Sequence, residues 1–376
     1  MKILRLAIVR QRYRPDGGAE KFVTSALEAL SVLKMINLNI ITRQWEYPQK
    51  ANWNVYQCNP SQWGRVSREK RFAQAARTLW CREGFHLVQS HERISGCDIY
   101  RAGDGVHTKW LEQRCRVLPK WRQKLLFASR YHRNVIEAER ALYRSSALKA
   151  VICNARMVKQ EIIETFGVPE HKIHVIYNSI NIQKFFPVDH YQRVKIRKML
   201  ALPLEEHLLI YVGSGFERKG LSAALHAIAN THSYLLVIGR DKAEKKYITI
   251  AQKLGCGNRI IFAGIQLNIC EWYQASDGLL LPTLYDPCPN VILEALACGL
   301  PIITSTHCGG NEFITPGLNG YICDALDIKS LTDAIVALTA STYNSQRSAF
   351  SRAQIIPLSA QLLSEKLISL YKKILD

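Results

Sequence analysis

The chain has 376 residues, 48% apolar and 22% charged, which suits an ordinary protein with a buried core and room for two domains. Its net charge of +19 is lopsided: residues 1–185 hold 32 Lys+Arg against 15 Asp+Glu, whereas residues 186–376 hold 18 against 16. No stretch reaches the ~20 apolar residues of a membrane span, and the eleven cysteines form no C-x-x-C pair and no zinc spacing, so reduced thiols in a reducing compartment are expected.

The basic first half favours an anionic partner, whether nucleic acid, an anionic membrane face or a phosphorylated substrate. The chain opens on Ile3–Val9, an apolar run interrupted by Arg5, which makes a core strand and not a signal peptide. Tyr13–Glu20 (YRPDGGAE) follows, and Gly17-Gly18 can turn backbone N–H groups toward an anion or simply form a surface turn. Strands are then predicted at Leu38–Thr42, His86–Ser90, Ala150–Cys153 and His174–Tyr177. Between them, residues 109–144 are helix-forming and dense in Arg, Lys and aromatics. They read either as a solvated helical pair or as a surface for anionic lipid or a phosphorylated acceptor. Asn154 is placed as the cap of a helix over Ala155–Phe166, stopped by Gly167 and Pro169. A linker is expected across Asn181–Arg193.

In the second half, strands are predicted at Leu208–Val212, Tyr234–Ile238, Ile260–Ala263, Gly278–Leu281 and Pro301–Thr304, with a terminal amphipathic helix over Pro357–Asp376. Short runs buried on both faces, separated by helix-length connections, indicate parallel, doubly wound sheets. Residues 213–220 (GSGFERKG) leave the first of these strands and enter a helix at Leu221–Ala229. Such a turn offers N–H groups and a helix N-terminus to an anion, with Arg218 and Lys219 adding fixed positive charge; a plain structural turn is the alternative. Arg218 stands where a dinucleotide-binding G-x-G-x-x-G needs its last glycine, which disfavours a dehydrogenase. Residues 282–294 (PTLYDPCPNVILE) lie at a sheet's carboxyl edge. Asp286 falls in the Pro-rich loop, Asn290 at the helix N-cap and Glu294 one turn in. The two carboxylates could be a glycosidase pair, a grip for sugar hydroxyls, or a capped loop–helix junction.

Taken together, these motifs resemble retaining glycosyltransferases of family four with the GT-B fold. The carriers are Gly215, Arg218 and Lys219, then VIGRDK (237–242), DPCPNVILE (286–294), Gly299-Leu-Pro301 and Gly309-Gly310. VIYNSINIQKF (175–185) resembles the interdomain pattern V-x-x-N-G-V-D-x-x-x-F. Departures are Asp286 for the first Glu of an E-x7-E signature, Ser179 for Gly and Asn181 for Asp. Within the family the chain is similar to the lipopolysaccharide core glucosyltransferases that act on an inner-core heptose.

The resemblance implies two Rossmann-like α/β domains facing a cleft. An acceptor-binding domain would cover 1–185 and a sugar-nucleotide domain 186–355, with the terminal helix 356–376 returning to the first. It implies a UDP-sugar donor, a phosphorylated lipopolysaccharide acceptor, an anionic membrane partner on the inner face of the inner membrane, and no metal, cofactor or nucleic acid. Arg218 and Lys219 would neutralise the donor diphosphate and Glu294 would hold the ribose. Asp286 would hold the transferred sugar with backbone from Asn290 and Val291. Gly17, Gly18 and Gly215 would approach the donor, and Arg240 and Ile265 would border the base. Asp104 and His107, flanking Gly105 in YRAGDGVHTKWL, are the first-domain catalytic candidates, against turn or helix-start roles. Two other classes stay open on the residues alone: a non-catalytic binder of anionic surfaces, and a sugar-nucleotide epimerase.

Overall fold

The structure, a computed structural model, describes residues 3–13, 36–46, 53–340 and 345–375. It divides into two compact units, one comprising Met1–Ser179 with Ala360–Asp376 and the other Ile180–Ser359.

The first unit contains β1 (Leu4–Val9), β2 (Arg12–Tyr13), β3 (Ile36–Thr42), β4 (Gln44–Trp45), β5 (Trp53–Gln57), β6 (Leu87–Ser90), β7 (Ile99–Arg101), β8 (Ala150–Cys153) and β9 (Ile173–Val175). Seven form a parallel sheet in the order β5-β3-β1-β6-β7-β8-β9, and β2 pairs separately with β4. The central strands β6 and β8 are buried along their length; β8 is apolar throughout, and β6 ends on the buried polar pair Gln89 and Ser90. Five strands escape the expectations above. β2 and β4 have two residues each, β5 is an edge strand that is only partly buried, β7 has three residues amid glycines, and a strand of the second unit, Gly320–Cys323, starts on one. β9 begins at Ile173, one residue earlier than expected, and ends at Val175.

The terminal helix Ala360–Leu375 packs on this sheet. Leu363, Leu367, Leu370 and Tyr371 join Leu6, Ile8, Leu38, Leu87 and Ile152 in one core, each such side chain worth roughly 1.5–3 kcal/mol when buried. The Tyr371 hydroxyl donates to Gln89 Oε1 at 2.8 Å, satisfying two polar groups inside that core.

The basic segment forms three helices, not two: His107–Cys115, Lys120–Ala128 and Arg130–Tyr143. Pro119 breaks the run, since its missing N–H suits a helix start and not an interior. Asn154 does not cap the next helix. The helix Arg156–Phe166 follows Ala155 with no side-chain cap, and Asn154 Nδ2 donates instead to the Gly103 carbonyl at 3.3 Å. Gly167, at φ +64°, does close that helix in the left-handed conformation.

The second unit contains β10 (Leu208–Val212), β11 (Tyr234–Ile238), β12 (Ile260–Gly264), β13 (Gly278–Leu281), β14 (Ile302–Ser305) and β15 (Gly320–Cys323), a parallel sheet ordered β12-β11-β10-β13-β14-β15. It starts at Ile180, ahead of the expected linker and six residues before the expected domain start at 186. Ile180 N–H donates to the Leu358 carbonyl at 2.8 Å and Phe185 is buried. The expected linker also holds the start of helix His190–Met199, capped by Asp189.

Candidate functional site

Strand order selects the place. From β10 the chain builds outward through β11 and β12, then returns to build β13, β14 and β15 on β10's other side. Two connections therefore leave in opposite directions at the carboxyl ends of β10 and β13, and such a divide opens a crevice for ligand. GSGFERKG leaves β10 there and PTLYDPCPN leaves β13.

The first turn is closely fitted. Gly213 N–H donates to Ile238 O at 2.9 Å and Gly239 N–H to Gly264 O at 2.8 Å, tying three strand ends together. Gly220 has φ +74°, and a Cβ there would lie 1.8 Å from the Pro282 carbonyl oxygen, so glycine is needed twice over. Phe216 is buried against Tyr211 and Tyr247, and its N–H donates to Asp241 Oδ2 at 2.9 Å. Gly215 takes φ +73° in open space.

From this turn Arg218 and Lys219 diverge in exposure. The Arg218 side chain is 42% exposed, whereas Lys219 is buried. The Arg218 carbonyl accepts from Leu284 N–H at 2.8 Å and from the Thr283 hydroxyl at 2.9 Å, which draws the second loop alongside. Asp286 is held in turn, its N–H donating to His307 O at 3.0 Å and its carbonyl accepting from Gly309 N–H at 2.9 Å. The Lys219 ammonium contacts Asp286 Oδ2, and the Arg218 guanidinium stands 3.8 Å from the same oxygen. Arg218, Lys219 and Asp286 are thus one cluster.

Asn290 is not the N-cap. Pro289 occupies that position in an extended conformation, and Asn290 is the first residue of helix Asn290–Ala297, which has no side-chain cap. Proline's fixed φ makes it a ready entry residue, and the uncapped first turn, with Asn290 and Val291 half-buried, presents N–H groups that the helix itself does not use. Glu294 lies one turn further, buried, and accepts from the Tyr273 hydroxyl at 3.0 Å. Burial and the Glu294 charge push the Tyr273 phenol well above its usual range. Arg240 and Ile265 are exposed, Arg240 after the glycine that follows β11 and Ile265 after the glycine that ends β12.

Asp104 and His107 belong to the first unit and to a different network. The Arg93 guanidinium donates to Glu139 Oε1 at 2.8 Å and lies 3.5 Å from Asp104 Oδ2. His107 starts its helix, its N–H donates to Glu139, and its Nε2 shares a hydrogen bond with His132 Nδ1 at 2.9 Å. Burial, then the Arg93 charge, lowers the His107 pKa to about 3. Beside this network lies a cavity of about 310 Å³ lined by Glu69, Glu92, Arg93, Tyr131 and Asn134, near the carboxyl ends of β1 and β6 where the first sheet's order also divides. Gly17 and Gly18 lie outside the described residues.

Sequence reasoning missed Tyr273, Arg93, Glu139 and the cavity. Only Glu139 carried a signal: with Val135 and Leu142 it sits on the buried stripe of Arg130–Tyr143, where an unpaired carboxylate would be costly.

Two family profiles match successive stretches, "Glycosyltransferase Family 4" over residues 16–184 and "Glycosyl transferases group 1" over residues 192–354. The lipopolysaccharide glucosyltransferase WaaG of Escherichia coli is 34% identical over 132 residues, covering 34% of this chain and 35% of that protein. The chain spans about half the length, or less, of the first curated relatives it matches. The crystal structure of WaaG, "a glycosyltransferase involved in lipopolysaccharide biosynthesis", superimposes with a TM-score of 0.82 at 20% identity, covering 97% of this chain and 99% of that one. That of Anabaena HepE in complex with UDP-glucose gives 0.72 at 16% identity, covering 98% and 100%. With parallel-sheet units, the divided strand order and both halves matched, the chain belongs to the family 4, group 1 glycosyltransferases of the GT-B fold.

Proposed function

We propose that the protein is a retaining glycosyltransferase that moves a hexose, glucose, from UDP-glucose to a heptose of the lipopolysaccharide inner core, working at the cytoplasmic face of the inner membrane. The observation that carries this reading is the Arg218–Lys219–Asp286 cluster at the strand-order divide of the second sheet, with Glu294 one helical turn beyond the same loop. The shared stretch with WaaG and the UDP-glucose bound by a fold neighbour support the donor and acceptor class.

In this reading the bond from the anomeric carbon to the diphosphate breaks, and negative charge grows on the leaving phosphate. Arg218 and Lys219 are fixed cations where that charge develops, and one such donor can be worth roughly 3 kcal/mol. They take the place a divalent metal would otherwise fill, so the reaction runs without one. Asp286 holds hydroxyls of the transferred sugar and Glu294 those of the ribose. Gly215, Asn290 and Val291 bring backbone to the phosphates and sugar, while Arg240 and Ile265 border the base. In the first unit, Asp104 and the neutral His107 serve the acceptor, whose sugar has room in the cavity between Glu92 and Asn134.

Membrane attachment falls to the first unit. Helix Lys120–Ala128 buries no residue and exposes Trp121, Leu125 and Phe127 among Arg122 and Lys124. A helix with exposed aromatics and basic neighbours suits the interface of anionic lipid. Among the described residues no helix is long and apolar enough to cross a membrane.

The test is a thermal-shift and calorimetry screen over UDP-, GDP- and ADP-sugars, followed by transfer of labelled hexose to acceptor lipid. Stabilisation by UDP-glucose and transfer that Glu294→Ala abolishes in folded protein are expected. Absence of any binding to UDP or its sugars, or undiminished transfer by folded Glu294→Ala, would overturn the reading.

A further inference from the structure

Helix Ile269–Gln274 is only six residues long, yet three of its side chains are committed to its surroundings. Cys270, Tyr273 and Gln274 fall at i, i+3 and i+4, one face of a helix, and all are buried. Cys270 Sγ donates to the Lys184 carbonyl at 3.1 Å and the Gln274 amide to the Phe186 carbonyl at 3.0 Å. The Tyr273 ring meets Phe185 edge-on, centroids 6.2 Å apart. The stretch Ile182–Phe186 therefore seats this helix. Arg352 fixes that stretch from the other side, donating to the carbonyls of Ile182, Phe185 and Ala297 at 2.8, 2.8 and 2.6 Å. Ala297 is the last residue of the helix that carries Glu294. The two helices thus share one anchored support, and across it the Tyr273 hydroxyl reaches Glu294 Oε2 at 3.0 Å.

We propose that Tyr273 is the positioning residue for Glu294: its hydroxyl holds the carboxylate in the one orientation that the donor's ribose hydroxyls meet. This rests on the reading of Glu294 as the ribose grip. A glutamate has three rotatable bonds, so a side chain left to wander must be ordered each time ligand binds, and one already held is not. Hydrogen bonds to a buried charged group are also the stronger kind, so loss of this one is felt at the carboxylate first. Burial keeps the phenol protonated, so it donates across the working pH range. Cys270 and Gln274 touch no donor group in this scheme; they keep the phenol within reach.

The experiment compares UDP with 2′,3′-dideoxy-UDP by calorimetry on the full chain, for wild type, Tyr273→Phe, Glu294→Gln and Gln274→Ala. Wild type should prefer UDP by about tenfold or more, the worth of one or two hydrogen bonds to a charged group. Tyr273→Phe should weaken UDP several-fold and leave the dideoxy analogue unchanged, so the preference shrinks toward one. Gln274→Ala, which loosens the seat while keeping the phenol, should shrink it in the same direction. If Glu294→Gln loses the preference while Tyr273→Phe keeps it, the positioning role is overturned and the ribose reading stands. If Glu294→Gln keeps the preference, the ribose reading falls and the inference with it. Equal weakening of both ligands by Tyr273→Phe would mean general disorder and would also overturn it. Should Tyr273→Phe not fold, an undiminished preference in Gln274→Ala decides against the proposal.

Discussion

Lys219 and Asp286, 67 positions apart, meet as a buried ion pair: the ammonium touches Oδ2, and each residue is less than a tenth exposed. A pair so placed has lost its water, and each charge depends on the other. Lys219→Ala therefore does more than remove a donor contact; it strands a carboxylate that keeps only the half-exposed Arg218, 3.8 Å away. Breaking such a pair costs about 3–5 kcal/mol. We expect urea unfolding to show most of that loss in Lys219→Ala and most of it recovered in Lys219→Met with Asp286→Asn. Calorimetry with UDP-glucose should find binding lost in both. Additive stability losses would show that the pair is not coupled.

Two glycines with similar backbone angles should respond differently to alanine. Gly167 has φ +64° with nothing within 4 Å of a new Cβ, so Gly167→Ala costs only the left-handed conformation, about 1–2 kcal/mol. Gly220 has φ +74° and the Pro282 oxygen 1.8 Å away, so Gly220→Ala adds overpacking for a total of about 2–5 kcal/mol. Chemical denaturation should rank them in that order, with donor binding damaged only at Gly220.

The lowered pKa of His107 makes a statement about acid. Its imidazole takes a proton near pH 6.5 when unfolded and near pH 3 when folded, because burial and the Arg93, His132 and Arg65 charges disfavour the cation. The unfolded chain thus binds more protons across that window, and stability present above pH 6.5 is lost as pH falls toward 3. His107→Gln should flatten the decline of Tm between these values. An unchanged slope would show that His107 does not contribute to it.

Exposed charge should govern attachment to lipid. Arg122→Glu, Lys124→Glu and Arg130→Glu together should release the protein from vesicles containing anionic lipid, with little effect on Tm because helix Lys120–Ala128 buries nothing and Arg130, at the start of the next helix, is exposed. Wild-type binding should weaken as salt rises. Trp121→Ala with Leu125→Ala should weaken it at all salt concentrations. Vesicle sedimentation that does not distinguish the variants from wild type would remove this helix from the membrane contact.

Much of the fold was legible because a parallel strand covered on both faces writes itself as a continuous apolar run. β1, β3, β6, β8, β10, β11, β13 and β14 are largely of this kind, and β12, at the sheet's edge and mostly half-buried, was legible from its apolar residues alone. β5 is half-solvated, β2, β4 and β7 have only two or three residues, and β15 starts on a glycine with its middle half-buried, so no run registers. The capping role assigned to Asn154 failed for a different reason. An asparagine caps through its side-chain oxygen, but here Ala155 holds the cap position and the Asn154 amide nitrogen is drawn to the Gly103 carbonyl, 51 positions away. Asn290 was displaced by one residue because proline suits the entry to a helix.

Local chemistry by itself determined where glycine-rich turns and carboxylate-bearing loops leave their strands, since turn residues, caps and apolar runs act over a few positions. It also placed Arg218, Lys219 and Asp286 in the segments that leave strand ends and Glu294 one turn into the helix that follows. Only the tertiary structure decided which of these meet. The order of strands put the turn after β10 beside the loop after β13, and burial then forced Lys219 onto Asp286 and Glu294 onto Tyr273. Partnerships between groups 67 and 21 positions apart arise from shared exclusion of water, which no short window of residues records.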